Sequence, residues 1–394
     1  QHVSDPAPDV LVQELGGGEI AIAVEVTPGS VGSLAPIGVD DRVVVTDSSM
    51  TNGHLAVRWD RQGRLCSIID LAARRELLPV GESGAVLALA RAQPVEYDAW
   101  DLESWTRSGG TPVGGGVVTV TANGPLLGRV EVRHAFGPST ATVTYELRSG
   151  ERQLGVAIDL DWHHDEHLLS MAFPLDVHAA TASCDIQFGV VERPTHPSSP
   201  CDAAKFEVCA HRFVSLSEPS FGVAVINDGR FGHGVFGGAI RVSLVRAAKY
   251  PDPEADHGRH GVRLALRPHD GDLGPVRSAA ERLNRPLDIV SGAAGGTAER
   301  PPLVTLAGPD DEPVDHVEVD AVKLADDGSG DLVVRLHEHV GDRTPITVRA
   351  SRRIVAASRC DLLEDPHTGE EVGDGVVLLR LRPFELVTLR LTLA

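Results

Sequence analysis

The chain has 394 residues, of which 36 are Lys or Arg and 56 are Asp or Glu, so its formal net charge is −20. This length is enough for two or three domains, and 42% hydrophobic residues are typical of a globular protein rather than a disordered acidic one. The negative charge and the presence of only three lysines argue against binding to nucleic acid or to anionic membranes. We therefore expect neither nucleic acid nor a membrane as a partner.

The cysteines and the first residues bear on the cellular compartment. No run of about 18 apolar residues occurs, and the first residues contain no basic and apolar signal segment. The chain begins with Gln1 rather than Met, which suggests a processed product or an excised fragment. The odd number of cysteines, without a C-x-x-C pair, predicts free thiols in a reducing cytoplasm; they are Cys66, Cys184, Cys201, Cys209 and Cys360.

Alternating apolar and polar residues predict the secondary structure. In chain order, this period of two covers residues 143–147, 154–162, 262–267 and 387–393. It is the pattern of antiparallel strands with one face in water. One helix is predicted from Pro275 to Asn284, with an apolar stripe of Val276, Ala279, Ala280 and Leu283 and with Pro286 beyond its end.

These segments predict an all-β protein in four parts. A short N-terminal β segment spans residues 1–46, and a large β domain spans residues 47–290. Residues 291–302 are rich in small and helix-breaking residues and are predicted to be a linker. A C-terminal β-sandwich is predicted for residues 303–394.

The cluster His163-His164-Asp165-Glu166-His167 has the i, i+4 histidine spacing of a helical zinc site. It directly follows the predicted strand that ends at Trp162, so a helix is not expected there. We therefore predict a polar hairpin turn, and no metal site in this chain.

Arg246 is the most informative charged residue, because it shares its parity with Ile240, Val242 and Leu244. An arginine on the apolar face of a strand needs a carboxylate partner or must face a polar cavity. Acidic and histidine residues follow in the segment 247–260. Two interpretations remain open: an ion pair that fixes a long loop, or a loop that lines a ligand site.

Residues 94–101 combine aromatic and acidic side chains, including Tyr97, Asp98, Trp100 and Asp101. Aromatic rings suit the apolar faces of a sugar, and carboxylates suit its hydroxyl groups. The alternative is the edge of a β domain in which Trp100 is a core anchor.

A series of short motifs runs along the chain in a specific order. They are Asn52-Gly53, Arg75-Glu76, Tyr97-Asp98-Ala99-Trp100-Asp101, Asp161-Trp162, Phe173-Pro174, Phe188-Gly189, Arg193-Pro194-Thr195-His196, Asn227-Asp228, Phe231-Gly232, Ser243-Leu244-Val245-Arg246, Tyr250-Pro251-Asp252-Pro253, Asp256 to His260, Pro268-His269, Leu283-Asn284-Arg285-Pro286-Leu287 and Pro383-Phe384-Glu385. From about residue 47 to the end, this series resembles the C-terminal, non-catalytic half of a bacterial glycoside hydrolase family 38 α-mannosidase.

The resemblance implies a zinc-dependent enzyme that cleaves terminal α-linked mannose with retention. In the family, an N-terminal barrel carries the nucleophile, the acid/base carboxylate and the zinc ligands, and no counterpart of these motifs occurs here. The chain alone is therefore expected to have no catalytic residue and no activity. The implied fold is a galactose-mutarotase-like supersandwich followed by a smaller β-sandwich.

The resemblance also implies site residues and partners. Asp98, Trp100, Asp101 and Arg246 match positions that line the sugar pocket, and Asp256 and His260 would order the adjacent loop. The expected partners are an α-mannoside or another carbohydrate and the chain's own N-terminal catalytic domain. A homo-oligomer could form through an exposed apolar face. The alternatives are a free-standing carbohydrate-binding β protein without hydrolytic activity and, with less support, a mutarotase-like isomerase.

Overall fold

The computed structural model describes residues 12–25, 30, 37–39, 41–288, 300–343 and 345–394. Strands dominate these residues, which confirms the all-β prediction. Most of the predicted linker, residues 291–299, lies outside them. In the part of the chain that the structure describes, no helix has the length and apolar character needed to cross a membrane. All five cysteines are free thiols, as predicted.

The strands follow one another along the chain as follows. The first sixteen are β1 (Val12–Gly16), β2 (Glu19–Ile22), β3 (Val44–Val45), β4 (Ser49–Thr51), β5 (Leu55–Trp59), β6 (Leu65–Asp70), β7 (Arg75–Glu76), β8 (Val86–Arg91), β9 (Thr111–Pro112), β10 (Val117–Asn123), β11 (Leu127–Phe136), β12 (Ser139–Arg148), β13 (Leu154–Trp162), β14 (His167–Pro174), β15 (Thr181–Ile186) and β16 (Gly189–Pro194). The next six are β17 (Val208–Cys209), β18 (Phe213–Glu218), β19 (Phe221–Asn227), β20 (Gly232–Phe236), β21 (Ala239–Arg246) and β22 (Gly258–His269).

The remaining strands belong to the C-terminal part of the chain. They are β23 (Val304–Ala307), β24 (Val317–Leu324), β25 (Leu332–Glu338), β26 (Pro345–Ala350), β27 (Ile354–Cys360), β28 (Pro366–Glu370), β29 (Val372–Gly373), β30 (Val376–Arg380) and β31 (Leu386–Leu393). The helices are α1 (Pro200–Ala204) and α2 (Gly274–Asn284), with short 3₁₀ turns at Ser104–Ser108 and Pro309–Asp311.

The described residues divide into two compact units. The first takes its residues from 1–23, 36–185 and 191–287, and the second from 24–35, 186–190 and 288–394. The first unit contains an antiparallel nine-stranded sheet in the order β10-β11-β12-β13-β22-β19-β18-β15-β16 and a six-stranded sheet in the order β17-β20-β21-β14-β8-β9. A five-stranded sheet, β3-β4-β5-β6-β7, completes its main framework.

One apolar core joins these three sheets. The strictly alternating burial along β12 and β13 puts Val143 and Ile158 into this core, as the sequence predicts. Val57 contributes from the five-stranded sheet and Met171 from the six-stranded sheet. Burial of such side chains contributes about 1.5–3 kcal/mol each, so the sheets are held mainly by this shared core.

Helix α2 confirms the predicted helix, with Pro275 in its first turn. It packs against β18, β19 and β22, and Val276, Ala279 and Ala280 of the predicted stripe are buried. Arg277 is also buried, which the apolar spacing did not indicate. Its Nη2 lies 3.1 Å from Oδ1 of the buried Asp185, and this ion pair permits the burial of both charges.

The segment between Trp162 and His167 is not the predicted hairpin turn. Strand β13 belongs to the nine-stranded sheet and β14 to the six-stranded sheet, so the segment crosses from one sheet to the other. The physical reason is that β12 and β22 already pair with the two edges of β13. No edge of β13 is left for the following strand.

The second unit contains a four-stranded sheet, β23-β26-β30-β29, and a five-stranded sheet, β24-β25-β31-β27-β28. The two sheets share a second apolar core, to which Val334, Leu336, Val348 and Leu389 contribute. This arrangement is a β-sandwich with inward-facing apolar side chains.

Candidate functional site

The candidate site begins at a β-bulge in the six-stranded sheet. The pairing of β14 with β21 shifts between Leu169 and Ser170, so Leu244 is an extra residue in β21. Leu244 and Val245 both lie in the core, and Arg246 is turned to the opposite face. The prediction that Arg246 continues the apolar face of its strand is therefore wrong, because a bulge reverses the alternation beyond it.

Arg246 lines an open cleft of about 350 Å³ on that outer face. Five of the charged or polar side chains that line the cleft are Glu207, Arg230, Ser243, Asp256 and His260. Trp100 and Phe231 add aromatic rings, which are 70% and 52% exposed. The exposure of Trp100 excludes the alternative that it is a core anchor.

Asp98 holds the Arg246 guanidinium on one side. Arg246 Nη2 donates a hydrogen bond to the Asp98 backbone oxygen and lies 3.6 Å from Asp98 Oδ1. Within the described part of the chain, Arg246 Nε and Asp98 Oδ1 have no hydrogen-bond partner. Burial lowers the pKa of Arg246, and four carboxylates oppose this shift: Asp98, Glu207, Asp101 and Asp256.

The second oxygen of the Asp98 carboxylate fixes the loop that follows β21. Asp98 Oδ2 accepts hydrogen bonds from the backbone N–H groups of Lys249 at 2.6 Å and Tyr250 at 3.1 Å. The segment 94–103 and the loop 247–257 are thus joined at one carboxylate. In this geometry Asp98 positions both Arg246 and the loop.

The other predicted residues divide into two groups. Asp256 and His260 line the cleft, and His260 Nε2 lies 2.6 Å from the Asp256 backbone oxygen. Asp101 lies outside the lining, and its Oδ1 accepts a hydrogen bond from the neighbouring Leu102 N–H at 2.8 Å. The structure therefore brings Trp100, Arg246, Asp256 and His260 together in the lining of the cleft. Asp98 contacts Arg246 from outside this lining, whereas Asp101 acts on Arg246 only through its charge.

Sequence reasoning missed Glu207, which lies just before β17 and reaches into the same cleft. A Cβ atom added to Gly232 of β20 would lie 2.3 Å from Glu207 Oε1, so the missing side chain makes room for the carboxylate. Burial raises the pKa of Glu207, and Ser243, Arg241 and Arg246 oppose this shift. The alternating glycines at 232 and 234, on one face of a strand, were the signal that could have pointed to it.

The acidic and histidine residues after β13 make contacts that hold the neighbouring loop. Asp165 Oδ1 lies 2.6 Å from Lys249 Nζ and 2.9 Å from His257 Nε2, so it anchors the loop beside the cleft. His163 Nε2 lies 2.9 Å from Asp161 Oδ1. Within residues that the structure describes, no group of three or more His, Cys, Asp or Glu side chains could hold a metal ion.

A larger depression of about 470 Å³ lies elsewhere in the first unit, along residues 175–180. Two of its polar side chains are engaged, because Thr195 Oγ1 donates to the Ala179 oxygen at 2.6 Å and His196 Nδ1 lies 2.6 Å from Ser198 Oγ. The smaller cleft is the better candidate, since it contains partly buried charges with unused hydrogen-bonding atoms.

Comparison with known proteins identifies the family. Residues 50–254 match the family described as Glycosyl hydrolases family 38 C-terminal domain, and residues 316–389 match its C-terminal beta sandwich domain. Human Alpha-mannosidase 2C1 is 34% identical over 376 residues, which cover 92% of this chain and 36% of the relative. Alpha-mannosidase of Saccharomyces cerevisiae is 29% identical over 279 residues, covering 64% of this chain and 25% of the relative.

The solved structure of an alpha-mannosidase from Enterococcus faecalis V583 shares the fold, with a TM-score of 0.75 and 18% identity. The match covers 97% of this chain and 48% of that chain. The chain spans about a third of the length of the curated relatives it matches. The two family matches, over most of the large β unit and in the β-sandwich, place this chain in glycosyl hydrolase family 38.

Proposed function

We propose that this chain is the C-terminal portion of a zinc-dependent, retaining α-mannosidase that hydrolyses terminal α-linked mannose. Its family and the names of its relatives support this proposal. Since the chain spans only about a third of those relatives, its own role is narrower. It supports the catalytic domain and forms one wall of the sugar pocket.

The observation that carries the proposal is the set of polar and aromatic side chains that line the cleft around Arg246. The guanidinium groups of Arg230 and Arg246 can donate hydrogen bonds, and the carboxylate of the exposed Asp256 can accept them. The exposed ring of Trp100 lies in the same cleft. A donor, an acceptor and an aromatic face are the groups that bind hydroxyls and the apolar C–H surface of a pyranose.

The described residues do not fit the zinc site of such an enzyme. The side chains of the only His-His-Asp sequence are engaged in contacts with protein groups: His163 with Asp161, His164 with Ser139, and Asp165 with Lys249. We therefore assign zinc and the two catalytic carboxylates to an N-terminal domain outside this chain. The chain alone is then inactive.

The proposal includes partners and a compartment. The N-terminal catalytic domain and an α-mannoside are the expected partners, and neither nucleic acid nor a membrane is. The chain on its own would form a homo-oligomer if the face that meets the catalytic domain were left uncovered. We place the protein in the cytoplasm, where its free thiols remain reduced.

Calorimetric titration of this chain with methyl α-mannoside tests the role of the cleft. We expect saturable binding in the millimolar range, because one wall supplies only part of the contacts, and a loss of at least about tenfold for Arg246→Gln. Arg259→Gln is the matched control, since Arg259 is exposed and outside the cleft lining. Equal binding by wild type and Arg246→Gln would contradict the proposed role.

The alternative, a free-standing carbohydrate-binding protein, is favoured by one feature: the cleft and its aromatic rings lie within a single unit of this chain. Such a protein needs no other domain for affinity. Micromolar binding of methyl α-mannoside or a mannose oligosaccharide by the isolated chain would favour it, whereas millimolar binding favours a pocket wall.

A further inference from the structure

Glu207 is an acidic residue that lines the cleft and directly precedes β17. Its carboxylate lies over Gly232 of β20, and Arg241 of β21 lies over Gly234. A Cβ atom at Gly234 would be 2.7 Å from Arg241 Nη2, and one at Gly232 would be 2.3 Å from Glu207 Oε1, so both contacts are too close for a side chain at either position. Because these two glycines on the same face of β20 have no side chains, they leave room for a carboxylate and a guanidinium.

The register of the sheet places these groups beside Arg246. Gly234 pairs with Arg241, and His233 pairs with Val242, so the next outward residues are Gly232 and Ser243. Beyond the bulge, Arg246 returns to this outer face. The sheet therefore aligns Arg241, Ser243 and Arg246 along β21, with the carboxylate of Glu207 over the adjacent strand.

The charges that line the cleft balance. Arg230 and Arg246 are positive, Glu207 and Asp256 are negative, and His260 adds no charge in its neutral form. Outside the lining, Arg241 acts on Glu207 through its charge, and Asp98 and Asp101 act on Arg246. A cleft with this balance suits a neutral polyol, whereas an unopposed arginine would attract an anionic ligand.

We propose that Glu207 is a specificity-determining residue, whose ionised carboxylate balances Arg246 so that the cleft takes a neutral sugar and disfavours an anionic one. This inference rests on the proposed function in one respect only, namely that a sugar binds here. Its second requirement, an ionised Glu207 coupled to Arg246, can be measured without any sugar.

The first experiment compares methyl α-mannoside with D-mannuronate as ligands of the full chain at pH 7.5. Glu207→Gln keeps the size of the side chain and removes its charge. We expect the affinity for mannuronate relative to the neutral mannoside to rise about tenfold in this variant. Glu82→Gln, an exposed acid outside the cleft lining, removes the same charge and is expected to change this ratio little.

The inference would be overturned if Glu207→Gln had the same selectivity between the two sugars as wild type. It would also be overturned if Glu82→Gln changed that selectivity by an equal amount. Folding of each variant is checked by its thermal unfolding. If the wild type binds mannuronate as well as the mannoside, the inference also fails, although the proposed function survives. If neither sugar binds, the proposed role of the cleft fails and the inference fails with it.

The second experiment is a carbon-13 NMR titration of the Glu207 carboxyl group in the chain without ligand. We expect the group to be ionised at pH 7.5 and its pKa to rise in Arg246→Gln, since a nearby positive charge has been removed. Arg259→Gln is the control and is expected to leave the titration unchanged. A protonated Glu207 at pH 7.5, or a titration that Arg246→Gln does not alter, would overturn the inference.

Discussion

Arg246 owes its place in the cleft to Leu244, the extra residue of the bulge. If the same residues alternated regularly, without a bulge, the guanidinium would face the core that Val242 and Met171 fill. A buried and unpaired charge there would cost several kcal/mol. The bulge instead places it on the outer face of the sheet, where Asp98 contacts one side of it and where it lines the cleft.

Gly232→Ala tests the space that Glu207 occupies. The added Cβ atom would overlap Glu207 Oε1, but a glutamate side chain can swing aside, so we expect the free energy of unfolding to change by less than about 1 kcal/mol. The displaced carboxylate would be more hydrated, and its raised pKa would return toward the ordinary value. Carbon-13 NMR of the Glu207 carboxyl group measures this shift.

Gly261→Ala is the matched control for Gly232→Ala. Gly261 also lies in a strand, and no atom within 4 Å would meet its added Cβ atom. We expect this variant to leave the Glu207 titration unchanged. A Glu207 titration in Gly232→Ala that matches wild type would show that the carboxylate does not need this glycine.

At the scale of elements, one ion pair fixes helix α2 against the nine-stranded sheet. Asp185 and Arg277 have side chains that are 1% and 5% exposed. Asp185→Asn removes the buried charge that faces both Arg277 and Arg212, and we expect a loss of about 3–5 kcal/mol in the free energy of unfolding. Urea denaturation measures it.

An exposed ion pair of the same helix is the control for Asp185→Asn. Arg285 Nη1 lies 3.0 Å from Glu281 Oε1, but the arginine side chain is 66% exposed. Arg285→Gln is expected to cost less than about 1 kcal/mol, because water screens the pair. Equal losses in the two variants would contradict the structural role assigned to Asp185.

A second ion pair joins the five-stranded sheet to the nine-stranded sheet and makes the stability depend on pH. Arg75 Nη1 of β7 lies 2.6 Å from Glu218 Oε2 of β18. The hydrogen bond from Arg75 lowers the pKa of Glu218 from 4.5 to about 2. A lowered folded-state pKa stabilises the protein above about pH 4.5, and that contribution is lost as the pH falls toward 2.

Glu218→Gln tests this pH dependence. The variant should lose free energy of unfolding at neutral pH and vary less between pH 4.5 and 2. We expect wild type to lose about 1–2 kcal/mol more than the variant across that interval. Chemical denaturation at several pH values measures the difference, and parallel pH profiles would show that Glu218 does not titrate in this way.

For the whole molecule, the fold was predictable because period-two alternation reports directly on a half-buried strand. Residues 154–162 show this. The helix was predictable from its own apolar spacing and from Pro286, which lies just beyond its end at Asn284. The crossing after Trp162 was not predictable, since it depends on which strands already pair with β13.

The site was predictable only in part. Trp100, Asp98 and Arg246 were found from residue type and family resemblance, although the parity argument assigned Arg246 to the wrong face. Glu207 was missed because only the pairing of β17, β20 and β21 brings it to the cleft. A bulge and a nonlocal contact leave no periodic signal in the sequence.

We propose that this chain forms a wall of a mannosidase pocket and does not itself carry the catalytic centre. The most direct test is hydrolysis of an aryl α-mannoside by the purified chain with added zinc. We predict no hydrolysis above the rate in buffer. Zinc-dependent turnover that follows the chain through purification would contradict it, because a complete active site would then have to lie within these 394 residues.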